Sequence, residues 1–165
     1  MYKVSQTDIA SIELFSGNIL SIVATPRAVV DLEGAERLIR AIDAMLPNDE
    51  NIKAAILDLT DISEIHPEAI DYLLSGDYVQ ANEIAAVALT ATSITGKFIA
   101  QAIALRQSRK GFPVQYFESP IAADHWVRKQ LNVVTRASSK SIDLKTVNYV
   151  VEPYEKVAGR VSASN

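Results

Sequence analysis

Between Ala54 and Leu59 the chain reads Ala-Ala-Ile-Leu-Asp-Leu, a run with one polar residue in six. Its length suits a strand, and its lack of alternation suits a strand covered on both faces, as in a parallel sheet. The segment Thr60 to His66 reads as a short loop. Pro67 then opens a helix at the position where proline is best tolerated, with Ile70, Leu73 and Leu74 on one side. Parallel strands need crossover connections of a dozen or more residues, usually helical. The rest of the chain supplies them.

Asp8 to Phe15 alternates imperfectly and reads as a strand, Ser16-Gly17-Asn18 as a hairpin turn, and Ile19 to Ala24 as the return strand. Asp31 is placed as an N-cap. Leu32, Ala35, Leu38, Ile39, Ile42, Met45 and Leu46 follow at helical spacing, and Pro47-Asn48 stops the helix. Gly76 weakens or ends the helix from Pro67, and Tyr78 to Glu83 reads as a second helical turn. Ile84 to Leu89 is another buried strand. Thr92, Ser93 or Thr95 caps the next helix, whose inward face is expected to be Phe98, Ile99, Ala102, Ile103 and Leu105, ending at Lys110-Gly111. Pro113 to Phe117 is a strand. Ser119-Pro120 starts a last helix that faces Ala122, Ala123, Trp126, Val127 and Leu131 inward. The expected fold is α/β: a mixed, mostly parallel sheet of about five strands, an N-terminal β-hairpin and about four helices.

That pattern is complete by residue 131, which divides the chain into a domain over 1–131 and an extension over 132–165. The extension carries five Lys/Arg and three Asp/Glu, which leaves the domain at net −6 and the extension at net +2. The alternation over 142–151 reads as an extra strand, and Val161 to Asn165 as a disordered end.

The chain has 165 residues, no cysteine and a net charge of −4. No disulfide, thiolate nucleophile or thiolate metal ligand is available. An acidic chain has no overall attraction for nucleic acid or anionic lipid, and the cluster Arg106, Arg109 and Lys110 reads as a solvated helix end. No apolar run approaches the ~18 residues of a membrane span, and Met1 to Asp8 lacks the apolar core of a signal peptide. The expectation is a soluble, cytoplasmic protein that neither binds nucleic acid nor inserts into a membrane.

Three stretches resemble the STAS domain family, the fold of anti-sigma-factor antagonists and of sulfate-transporter tails, and more narrowly the bacterial STAS/Sec14-like proteins of uncharacterised function. They are Ala55 to Ile62, Glu64 to Ala69, and Phe112 to Ser119 with Ala122-Ala123 and Trp126-Val127. The resemblance covers about residues 8 to 131. In the antagonists a kinase phosphorylates a serine at the start of the helix that here begins at Pro67, and the phosphate breaks a complex. Here the corresponding positions hold His66, Pro67 and Glu68, none of which carries a hydroxyl. Glu68 is then either a helix-start acid favoured by the helix dipole or a fixed charge where a phosphate would come and go.

Candidate chemistry is sparse. His66 and His125 are the only histidines and have no metal-ligand spacing, so neither a metal nor another cofactor is expected. Gly96-Lys97 fails the P-loop pattern, because Ala91 and Phe98 stand where a glycine and a hydroxyl residue are required. Thr92, Ser93, Thr95 and Lys97 remain a candidate small-anion or ligand site at a helix N-terminus. Asp58 and Asp61 flank a strand end where α/β sheets often bind ligands, and a solvated loop acid is the plainer reading. Asp61, Ser63, Glu64, His66 and Glu68 are the candidate partner-binding residues. The resemblance and the missing catalytic motifs together imply a non-enzymatic regulatory or interaction module, acting on another protein or on itself as a homodimer. The alternatives are a carrier for a small apolar or lipid-like ligand, and, less favoured, a hydrolase or transferase with a purely spatial site.

Overall fold

A computed structural model describes residues 3–46, 51–81, 83–108 and 113–132. The chain stops expected at Pro47-Asn48 and Lys110-Gly111, and the strand and tail expected beyond residue 132, lie outside the described residues. The elements run β1 (Lys3–Gln6), β2 (Ala10–Phe15), β3 (Ile19–Ala24), β4 (Ala28–Val30), α1 (Leu32–Met45), β5 (Ala54–Asp58), β6 (Ile62–Ile65), α2 (Pro67–Leu73), α3 (Gly76–Ala81), β7 (Ala86–Thr90), α4 (Ile94–Ser108) and β8 (Val114–Phe117). A last helix, α5, covers 120–132.

The main sheet has six strands in the order β1-β2-β3-β5-β7-β8. β1, β2 and β3 are antiparallel neighbours, and β3, β5, β7 and β8 are parallel. The expected α/β class and mixed sheet are therefore the observed ones. The hairpin is extended by β1, whose Lys3-Val4-Ser5-Gln6 offers one apolar residue and no readable period. β1 is held by the β2 ladder and by Lys3, whose ammonium donates to the Met45 carbonyl at 2.7 Å, at the C-terminus of α1 where a cation is favoured. At the β2–β3 turn, Gly17 and Asn18 both adopt left-handed backbone (φ 82° and 58°), the conformation tight hairpins demand.

Successive parallel strands advance in one direction across the sheet. Right-handed crossovers then place the helices that connect them on a single face. The larger core lies there, with Leu20, Val87 and Leu89 of the sheet buried against Leu38 and Ile42 of α1 and Ile103 of α4. Full burial of each Leu or Ile is worth about 1.5–3 kcal/mol. Asp31 caps α1 as expected, accepting from the Gly34 amide at 2.8 Å. On the opposite face, among the described residues, α5 seats Ala123 and Val127 on Ile19, Ala54 and Ala88, with Trp126 stacked at a tilt on Phe117, ring centroids 5.4 Å apart.

Two expectations are corrected. The segment after Thr60 is not simply a loop: Ile62–Ile65 forms β6, which pairs in parallel with β4 in a separate two-stranded sheet. The inward face of α4 is also rotated from the expected one. Gly96, Ala100, Ile103 and Gln107 are buried, with Ile99 partly so, whereas Phe98 and Leu105 are 71% and 63% exposed and Ala102 is exposed too. The physical reason is Gly96. Its lack of a side chain lets the first turn of α4 lie directly on the Leu59 carbonyl, and that contact fixes the rotation of the whole helix.

Candidate functional site

Three parallel strands, β5, β7 and β8, end at the same edge of the sheet, the edge where open α/β sheets present ligand and partner surfaces. The loops leaving β5 and β7 are bound together there. The Asp58 carboxylate accepts from the Thr60 amide at 2.9 Å and from the Thr60 hydroxyl at 2.6 Å. The Thr60 hydroxyl in turn accepts from the Thr92 amide at 3.1 Å, and the two threonine hydroxyls are 3.4 Å apart. Below them the Leu59 amide donates to the Thr90 carbonyl at 2.8 Å. Thr90 is buried beside Asp58 in the sheet register, and its hydroxyl has no partner among the described residues.

The residues singled out from sequence fall into two adjoining groups. Asp61 is exposed in the turn before β6, where its carbonyl accepts from the Arg27 amide at 2.9 Å. Ser63 and Glu64 are exposed on β6, His66 is the N-cap of α2, and Glu68 is in the first turn of α2. His66 makes no side-chain capping bond. Its ring stands instead between two acids, Nε2 at 3.5 Å from Glu64 and Nδ1 at 3.4 Å from Glu68. The carboxylates address opposite nitrogens and so do not converge on a point. Among the described residues no group of three or more histidine, aspartate and glutamate side chains is placed to hold a metal ion.

The second group is at the start of α4. The Ser93 hydroxyl accepts from the Gly96 amide at 3.0 Å and is the helix cap. Thr92 is engaged with Thr60, Thr95 is exposed, and the Lys97 ammonium lies 3.6 Å from Glu118. The donors that would greet an anion are thus largely taken up within the protein. The Asp58 carboxylate is likewise committed to its own turn, while Asp61 is an exposed turn acid. His125 is exposed on α5.

Sequence reasoning did not single out Val29 and Ile94, and it placed Leu32 and Phe98 on inward helix faces, whereas all four are exposed. Val29 and Leu32, 48% and 40% exposed, flank β6 on the β4 side; Ile94 and Phe98, 77% and 71% exposed, lie on α4, which packs on β6 from the other side. The available signal was that α4 is apolar on every side, more than a helix with one buried stripe requires.

Two apolar voids, of about 50 and 40 Å³, lie between α1, α2 and the sheet, and both are lined by Ile22, Leu38, Leu57 and Leu73. Ligand pockets enclose about 300–1,000 Å³, so neither void accommodates a lipid-like molecule. Tyr78 lines the larger one. Burial, and then the charge of Asp43 to which its hydroxyl donates at 3.3 Å, raise its phenol above the ordinary tyrosine range. No helix among the described residues is long and apolar enough to cross a membrane.

Among curated proteins, none matches the sequence. One similar solved structure is an uncharacterized protein of the DUF3478 family with a SpoIIAA-like fold, from Shewanella loihica PV-4. The two are 13% identical, the match covers 77% of this chain and 92% of that one, and the TM-score is 0.47. Residues 12–131 match a family described as "Domain of unknown function (DUF7793)", a span that takes in the sheet from β2 onward, both candidate groups and α5. This chain belongs to the DUF7793 family.

Proposed function

We propose that this domain is a non-enzymatic protein-interaction module. Its working surface is Asp61 to Glu68, on β6 and the start of α2, joined to the loop Thr92 to Lys97 at the start of α4. The observation that carries this reading is the Asp58–Thr60–Thr92 hydrogen-bond chain. It fuses two loops 32 residues apart into one rigid surface, and spends on that task the polar groups a catalytic site at this edge would need. Two further facts support it. Glu64 and Glu68 remain exposed, and no lysine or arginine among the described residues is paired with either. The two voids between α1, α2 and the sheet are far too small to hold a carrier's ligand.

A photo-crosslinking amino acid at Ser63, compared in the native host with one at His125 on the opposite layer, tests the proposal. Ser63 is expected to give one discrete protein adduct that His125 does not give and that Glu64→Lys abolishes. No adduct from Ser63, or the same adducts from both positions, overturns it.

A further inference from the structure

The surface around β6 has a definite chemical pattern. β6 lies between β4 and α4. On the β4 side, Val29 is the register partner of Glu64 and exposed, and Leu32 follows at the start of α1. On the α4 side, Ile94 and Phe98 are one turn apart on the same helix face and are the more exposed pair. Glu64 is exposed on β6 itself, and Glu68 is exposed in the first turn of α2, which follows it.

The charges nearby are not balanced. The cations of α4 are already matched within the domain, Lys97 with Glu118 at 3.6 Å and Arg106 with Asp71 at 2.6 Å. Among the described residues, only His66 is paired with Glu64 and Glu68. The sequence up to residue 131 is net −6, so the same part of a second copy would bring like charge to the same place. A surface of apolar margins flanking uncompensated acids complements a segment with apolar and cationic side chains at helical spacing. Such a helix lays its apolar face on the margins and directs its lysines or arginines to the acids.

We propose that the surface formed by Val29, Leu32, Glu64, Glu68, Ile94 and Phe98 accepts a cationic amphipathic helix of a protein partner. This deepens the interaction-module reading and rests on it. The exposed residues of α4 are then the anchor of the site, and the acids set which helices are admitted.

Three 18-residue peptides test it against the full-length chain by fluorescence anisotropy. One has leucines on a single helical stripe and lysines elsewhere, the second has glutamates for the lysines, and the third keeps the first composition with the stripe scrambled. The lysine amphipath is expected to bind at least about ten-fold more tightly than either of the others. Phe98→Ser and Ile94→Ser are expected to remove that binding, and Glu64→Gln with Glu68→Gln to erase the preference for lysine over glutamate. All these positions are exposed, so circular dichroism and urea unfolding should confirm an intact fold.

Equal binding of the lysine and glutamate peptides, or binding indifferent to Phe98→Ser, overturns the proposal. So does a dimer in sedimentation that Phe98→Ser dissolves, which would make the occupant a second copy. Tighter association with vesicles of anionic lipid than with the peptide would make it a membrane, and overturns the proposal equally. A Ser63 adduct that persists in Phe98→Ser while the peptides fail to bind refutes this inference and leaves the interaction module standing.

Discussion

Gly96 lies against the backbone carbonyl of Leu59 so closely that a Cβ at position 96 would fall well inside van der Waals contact with that oxygen. In an exposed helix interior, glycine to alanine usually stabilises by about 0.8–1 kcal/mol. Here the colliding atom is backbone and has no rotamer by which to escape. Gly96→Ala is expected to destabilise the domain by about 1–3 kcal/mol, as overpacking does. Urea unfolding gives the sign directly, and a more stable variant would mean that α4 does not rest on Leu59.

Thr60 and Thr90 predict opposite outcomes for one chemical change. The Thr60 hydroxyl bridges Asp58 and the Thr92 amide, so Thr60→Val removes both bonds while Asp58 keeps the Thr60 amide and the exposed Thr92 amide turns to water; it should cost about 0.5–1.5 kcal/mol. The buried Thr90 hydroxyl has no partner among the described residues, so Thr90→Val removes a desolvated group at little change in shape. It should be neutral or stabilising, by up to about 1–3 kcal/mol. Both follow from denaturation midpoints at an unchanged urea slope.

Tyr78 makes stability fall at alkaline pH. Its phenol is raised in the folded state by burial first and then by Asp43. The unfolded chain therefore loses that proton from about pH 10 while the folded chain keeps it. The unfolded state then binds fewer protons, and stability declines as pH rises through 10 toward the folded value. Tyr78→Phe should flatten this decline, and tyrosinate absorbance should show one tyrosine ionising later than the rest.

The rotation of α4 can be tested by two substitutions. Phe98→Ser should change stability by no more than about 0.5 kcal/mol, because the ring is already in solvent. Ile103→Ala, on the buried face, should cost about 2–5 kcal/mol. A loss of about 3–5 kcal/mol for Phe98→Ser as well would restore the face expected from sequence, on which both residues lie.

How much was legible depended on length and on range. β3, α1 and β5 each carried a pattern long enough to read, and Asp31 announced its helix by local chemistry alone. β4 and β6 have three and four residues, too few for an alternation to register, and β1 has a single apolar side chain. α4 failed for another reason. With apolar residues at 94, 98, 99, 100, 102, 103, 104 and 105, its sequence admits several stripes, and the choice is made by a tertiary contact at Gly96. For the site, local order placed His66, Glu68 and Ser93 on the right elements, while Glu64, expected in a loop, lies on the short strand β6. The joining of their two loops could not be read, since it runs through Thr60 and Thr92, 32 residues apart and ordinary in any loop.

The two sides of the sheet are unequal, and the chain's only tryptophan sits on the lesser one. α5 is the last described element, and among the described residues its buried contacts are those of the smaller cluster, apart from the larger hydrophobic layer. An element so attached opens at a lower free energy than the global transition. Tryptophan emission will therefore follow the undocking of this helix, whereas amide exchange in β5 and β7 will follow the collapse of the whole domain. A gap between those two signals would be the expected behaviour of an intact protein, with one outer layer that comes away first.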